Sequence, residues 1–362
     1  MRSGFVSIVG RPNAGKSTLL NAMAGEKVAI VTSKPQTTRN RIHGIVDVPA
    51  EKTKSGKRPA AQIVFVDTPG VHKPGTVLDR RMLQEVHAAL ESRDIVIWMV
   101  DASRRVAVAD AEQSVQAGRE KEEAASGQAQ EEPVKKRSAR ELLEENEDAF
   151  VFELIRKLDC PVFLVLNKID LIDRETLAPL IAELSGLYPF AEVFPLSARK
   201  RLGVTELLHK LVDYLPEGER YFPEGQFTDQ PERFLVAELI RERILMETGE
   251  EVPYASAVVI EQYEEPVSAR NPLTRIAAAI YCERPGQKAI LIGKGGARLK
   301  EIGSNARREI ESLLGARVYL ELHVKVKDRW RESEPFIESL DWRRQLEELA
   351  AKANRERTKD EE

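Results

Sequence analysis

The first two thirds of the chain alternate between short apolar runs and longer stretches where apolar residues recur at helical spacing. The runs at 5–9, 63–66, 95–101, 161–166 and 193–196 are dominated by Val, Ile, Leu and Phe. Such runs predict strands buried on both faces, as in a parallel sheet covered by helices. With a further strand at 42–48, the alternation from residue 2 to about 215 predicts a doubly wound α/β domain. From 216 to 231 the periodicity stops, and Pro, Gly and acidic residues mark a linker.

A second pattern then begins. Phe234, Leu235, Ala237, Leu239, Ile240 and Ile244 share one face of an amphipathic helix. Strands are expected at 256–260, 276–282 and 317–326, with a long helix at 297–314 before the last. The division expected is a nucleotide-binding domain at 1–216, a linker at 217–232, a smaller α+β domain at 233–329 and a polar tail at 330–362. Two segments interrupt the first domain. The Lys- and Gly-rich stretch 49–60 reads as a hairpin loop. The stretch from 104 to about 148 is dense in charge and nearly free of aromatics, so it is either disordered or a charged, solvent-exposed helix.

Composition narrows the class. The 362 residues carry a formal net charge of −4, so the whole chain has no attraction for nucleic acid or lipid, and only a local basic patch could supply one. Cys160 and Cys282 lie in apolar runs and are expected to be reduced core residues. No apolar run reaches the length of a spanning helix, and the first strand starts almost at Met1 without room for a leader. A cytoplasmic protein is expected.

The chemistry is concentrated at strand ends. Gly10-Arg11-Pro12-Asn13-Ala14-Gly15-Lys16-Ser17 matches G-x-x-x-x-G-K-[ST] between a strand and a helix that opens at Thr18. Backbone N–H groups and Lys16 in such a loop hold polyphosphate, and the Ser17 hydroxyl can ligate Mg²⁺. Asn167-Lys168-Ile169-Asp170 follows the run at 161–166. The Asp170 carboxylate can accept from guanine N1–H and the exocyclic amine, whereas adenine would leave that charge unpaired. The Lys168 stem can lie along the base and Asn167 can brace the loop. Ser197-Ala198 follows another strand, where a backbone N–H can reach guanine O6. Ser197-Ala198 carries no weight alone; in order, each after its own strand, these elements select guanine.

Asp67-Thr68-Pro69-Gly70 ends the run at 63–66, placing a carboxylate near Mg²⁺ and a glycine N–H near a γ-phosphate. In the preceding loop, Thr38 is favoured over Thr37 as a Mg²⁺-ligating residue ordered by triphosphate. Ras-type enzymes carry a water-orienting Gln directly after the D-x-x-G element. Val71 stands here, so no catalytic side chain is assigned and slow intrinsic hydrolysis is expected.

The second domain holds Gly293-Lys294-Gly295-Gly296, a G-x-x-G turn between helical elements, as in KH modules. Residues 284–331 contain twelve bases and five acids, a basic excess suited to RNA.

The motifs G-R-P-N-A-G-K-S, K-P-Q-T-T-R, D-T-P-G, N-K-I-D and G-K-G-G-A-R-L-K-E-I-G, in this order, resemble the Era family of bacterial GTPases. The resemblance covers both domains except the two insertions and the tail. It implies a G domain joined to a type II KH domain, with GTP, GDP and Mg²⁺ as ligands. It implies binding to the 3′ region of small-subunit ribosomal RNA, help in maturing the 30S subunit and peripheral association with the inner membrane. A monomer is expected. Gly293–Gly296 with Arg298, Lys300 and Arg307 would grip RNA. Two rivals remain: a constitutive RNA-binding scaffold whose G domain only senses nucleotide, and a GTPase of another branch, against which the single P-loop and the G-K-G-G turn argue.

Overall fold

A computed structural model describes residues 1–53, 56–72, 74–106, 147–266 and 273–346. The charged insertion reading at 104–148 therefore falls largely outside the described residues. The chain forms two compact units. The first comprises residues 1–27, 43–72 and the described part of 86–227; the second comprises 28–42, 74–85 and the described part of 228–346.

The first unit is built on a sheet of β1 (Arg2–Gly10), β2 (Ile42–Val48), β5 (Ala61–Asp67), β6 (Ile95–Asp101), β7 (Val162–Asn167) and β8 (Glu192–Pro195), in the order β2-β5-β1-β6-β7-β8. From β5 to β8 every pairing is parallel. All seven residues of β5 and all six of β7 are buried, as strands covered on both faces must be. Trp98 on β6 fills the core on one side, its ring against Phe152 and Phe190 at centroid distances of 5.7 and 5.8 Å. Helices α1 (Lys16–Ala24), α2 (Val77–Glu91), α3 (Glu147–Ile155), α4 (Arg174–Ser185) and α5 (Val204–Tyr214) alternate with the strands. The expected hairpin at 49–60 is present as β3 (Glu51–Thr53) paired antiparallel with β4 (Gly56–Arg58). This is the doubly wound architecture, and its loops at the carboxyl ends of β1, β5 and β7 carry the nucleotide motifs.

The second unit runs α6 (Glu232–Glu247), β9 (Ala257–Glu264), β10 (Leu273–Cys282), α7 (Pro285–Ile292), α8 (Ala297–Leu314) and β11 (Arg317–Val326). Its sheet order is β11-β10-β9, with β10 antiparallel to β9 and parallel to β11. This α-β-β-α-α-β order is the type II KH arrangement that the motifs imply. Ile276, Ala278, Ile280 and Cys282 alternate onto the core face of β10 and pack with Leu239, Ile240 and Ile244 of α6 and Ile302, Ala306 and Ile310 of α8. Cys282 is buried and unpaired, as expected, and burial pushes its thiol up.

The segment after Trp330 is built into this unit. Trp330 is fully buried and donates to the Ala255 carbonyl at 2.8 Å. It packs with Leu78, Met82 and Ile337, the last on the short helix α9 (Glu334–Ser339). The polar background of 330–346 masks the apolar anchors Trp330, Phe336, Ile337 and Trp342.

Candidate functional site

The P-loop is shaped by backbone that only certain residues tolerate. Gly15 has φ +100° and caps α1, and a Cβ there would lie 2.2 Å from the Asn167 amide nitrogen. Lys16 is buried, its Nζ donating to the carbonyls of Gly10 and Arg11 at 3.1 and 2.9 Å. Loss of hydration pushes this ammonium down to about 8, partly offset by Asp67. A desolvated cation whose head donates only to two backbone carbonyls, with the Asp67 charge as partial compensation, is what a polyphosphate would complete. The Ser17 hydroxyl donates to Asp67 Oδ2 at 2.6 Å, so the two expected Mg²⁺ ligands of this unit are already adjacent. A hydroxyl and a carboxylate are hard oxygen donors, the set that Mg²⁺ prefers.

At the end of β5, the Thr68 hydroxyl donates to the Ile8 carbonyl at 2.8 Å, and Val71 N–H to the Gly10 carbonyl at 3.2 Å. Gly70 is pressed against the P-loop: a Cβ there would come within 2.7 Å of Pro12. Pro69 sits between these two contacts in the chain. The Val71 side chain is buried among Val9, Trp98 and Val100, so it serves the core.

Asn167 ties the site together. Its amide nitrogen donates to the Ala14 carbonyl of the P-loop at 2.8 Å, and its oxygen accepts from Ala198 N–H at 2.9 Å. The bracing role expected for Asn167 thus has defined partners on both sides. Lys168, at φ +66°, reaches Asp101 at 2.5 Å. Asp101 ends β6 and had no sequence signal; its place at a strand end beside the β7 loop was the only clue. Asp170 lies 3.7 Å from the Lys200 ammonium. A hydrogen bond from the Ser197 side chain, then one from its own backbone N–H and the charge of Lys200, hold its carboxyl below the usual range against the effect of burial, so it is an anion ready to accept. Ser197 N–H donates to the Leu202 carbonyl. Both N–H groups of the Ser197-Ala198 pair are therefore engaged by protein in this structure.

Arg11 pairs with Asp148 at 3.4 Å, and Asn13 has φ +63°. Thr38 is buried and belongs to the second unit, with the rest of 28–42. Neighbouring Thr37 accepts at its carbonyl from Arg241 of α6.

The G-x-x-G turn closes between α7 and α8. Gly293, Gly295 and Gly296 have φ of +71°, +58° and +80°, values that L side chains rarely adopt. Gly296 also caps α8. Beside the turn lies a groove of about 360 Å³ lined by Gly296, Lys300, Ser304 and Arg307 with Leu320 and Leu322 of β11. Basic residues beside apolar ones, Leu299 of α8 among them, can take a phosphodiester and a base together. Arg298 instead donates to the Glu247 carbonyl at the end of α6, and a Cβ on Gly293 would strike the Arg298 Cβ at 2.7 Å.

Comparison with known proteins agrees with this geometry. A family model described as a 50S ribosome-binding GTPase matches residues 5–168, and one described as a KH domain matches 251–331. GTPase Era of Geotalea uraniireducens (strain Rf4) is 42% identical over 332 residues, which is 92% of this chain and 95% of that protein. A crystal structure of Era in complex with MgGDPNP and nucleotides 1506–1542 of 16S ribosomal RNA aligns with a TM-score of 0.78 at 37% identity, covering 94% of this chain and 99% of that one. A variant of Aquifex aeolicus Era bound to GDP and AlF4⁻ aligns at 0.75 with 36% identity, again over 94% and 99% of the two chains. With a guanine-type nucleotide site on one unit and a KH groove on the other, the chain belongs to the Era family of GTPases.

Proposed function

We propose that this chain is a GTP-gated RNA switch that acts on the 3′ region of small-subunit ribosomal RNA and assists maturation of the 30S subunit. In this reading Gly10 to Thr18 hold the phosphates, Asp67 to Val71 meet the γ-phosphate, and Asn167, Lys168, Asp170, Ser197 and Ala198 surround guanine. Mg²⁺ held by Ser17 and Asp67, joined by Thr38, would neutralise charge developing on the phosphates. Lys300 and Arg307 grip the RNA backbone, with the Gly293–Gly296 turn allowing close approach.

One observation carries the proposal. The Era complex with MgGDPNP and 16S ribosomal RNA is matched along nearly its whole length, and this chain has a KH groove of the composition such RNA needs. The grouping of Thr37 and Thr38 with the KH unit supports gating, because a residue expected to answer to GTP packs with the RNA-binding half. Buried Val71 supports slow turnover, since no side chain at this position can orient water.

The test is binding of the full chain to an RNA of the 16S 3′ end, with GDPNP, with GDP and without nucleotide. Tighter binding with GDPNP supports gating. Equal affinity in all three states would favour the scaffold reading. Crosslinking to 30S particles, followed by RNA sequencing, tests the target. Peripheral membrane association and a monomeric state belong to the same proposal. Among the described residues no helix is long and apolar enough to cross a membrane, so association would be at the surface.

A further inference from the structure

A cavity of about 60 Å³ lies within the second unit, away from the KH groove. Its lining includes four arginines, Arg39, Arg81, Arg233 and Arg241, and two acids, Glu238 and Asp341. The acids are already committed. Glu238 takes both prongs of Arg241 at 2.8 and 2.6 Å, and Asp341 takes Arg81 at 2.6 Å.

Among the described residues, the hydrogen-bond acceptors of Arg39 and Arg233 are carbonyl oxygens. Arg39 donates to Ser256 and Tyr254 at 2.7 and 3.1 Å, and its guanidinium lies 5.6 Å from the Trp330 ring centroid. Arg233 donates to the carbonyls of Ile260 and Glu261 at 2.5 and 3.5 Å. Arg39 is 8% exposed and Arg241 3%. Among the described residues, Nε of Arg39 and Nη1 of Arg241 are buried without a hydrogen-bond partner. Desolvation, and then the charge of Arg241, push Arg39 down to about 9, offset in part by the carboxylates of Glu238 and Asp79.

Buried positive charge with orphaned N–H groups is costly, and such groups seek acceptors. Arginine presents a planar fork suited to tetrahedral oxyanions. The space admits one compact polyatomic ion and no nucleotide. We propose that this cavity is a binding site for a small oxyanion of the charge and shape of inorganic phosphate, recognised by Arg39, Arg233 and Arg241. Arg39 adjoins Thr37 and Thr38 in the chain, and Arg241 also holds the Thr37 carbonyl. A bound anion would therefore clamp the 28–42 segment to α6. Phosphate is also a product of GTP hydrolysis, so turnover itself would supply the ligand.

The test uses the full chain saturated with Mg²⁺ and GDPNP, so that the P-loop and its γ-position are already filled. Binding of radiolabelled inorganic phosphate is measured by equilibrium dialysis at constant ionic strength, with melting temperature followed in parallel. One saturable phosphate per chain is expected, with a rise in melting temperature that chloride at matched ionic strength does not reproduce. Arg39→Gln should weaken phosphate binding by about tenfold or more, in line with loss of a charged hydrogen bond. Should Arg39→Gln misfold, the less buried Arg233→Gln makes the same test. Lys300→Gln, in the KH groove, should leave phosphate binding intact. Absence of saturable binding, an equal effect of chloride, or loss of binding in Lys300→Gln with retention in Arg233→Gln would each overturn the site. None of these readouts depends on RNA affinity, so the gating proposal stands or falls separately.

Discussion

Nucleotide binding should consume a proton, because Lys16 is buried before the phosphates arrive. Burial brings its ammonium to about 8, where phosphate oxygens would return it well above that value. The direction follows from the charge: above the lowered value the free protein holds a neutral amine, and binding must protonate it. Raising the pH therefore weakens binding. With a value of about 8, the neutral fraction is about 0.1 at pH 7 and about 0.75 at pH 8.5, so proton uptake rises by about 0.65 per chain and affinity falls about fourfold. Titration calorimetry of GDP with Mg²⁺ in two buffers of different ionisation enthalpy gives the proton number directly. Proton uptake that stays flat between pH 7 and 8.5 would refute the argument that Lys16 is desolvated in the free state. Lys16→Met makes the complementary point. It should abolish GDP binding yet raise the stability of the nucleotide-free chain by about 1–3 kcal/mol, since a buried cation is removed whose desolvation outweighs its attraction to Asp67.

Asp170→Asn should cost several kcal/mol of GTP-over-ATP preference, because the carboxylate that accepts both guanine donors becomes half donor; competition binding with ATP reads this, and an unchanged preference would remove Asp170 from the guanine pocket. Asn167→Ala leaves the Ala14 carbonyl and the Ala198 N–H without their buried partner, at about 1–3 kcal/mol each, and should lower both GDP affinity and melting temperature. Trp330→Ala should destabilise the chain by about 3–5 kcal/mol, as large-to-small changes at buried aromatics do, with denaturant unfolding as the measurement. Gly293→Asp should impair RNA binding while GTP binding persists, since the turn needs a positive φ and has no room for a Cβ.

What could be read in advance was local. Each nucleotide motif is a few consecutive residues at the end of an apolar run, and strand, loop and helix order follow from periodicity. Gly15 and Gly293 announce backbone that side chains resist. Partners far apart in sequence were not legible. Asp101 meets Lys168 only because β6 and β7 pair in parallel, with Asp101 opposite Asn167. Arg39 reads as one more base in a polar loop, yet it is buried against Trp330 and the carbonyls of Ser256 and Tyr254. The 330–346 segment has the composition of a solvated tail, and only its sparse aromatic anchors reveal that it packs. The insertion beyond residue 106 has no apolar periodicity from which to argue.

The parallel pairing of β10 with β11 has a mechanical consequence. It runs through ten paired positions, from Leu273 opposite Arg317 to Cys282 opposite Val326. The G-x-x-G turn sits within the crossover between them, leaving one strand at its far end and entering the other at its near end. A load that drew the two ends of this crossover apart would act on β10 at its carboxyl end and on β11 at its amino end, in opposite directions along their length. The ladder would be sheared as a block, all its bonds sharing the load, where a hairpin would unzip one bond at a time. A clamp wired this way is suited to holding a strand that a folding particle tugs.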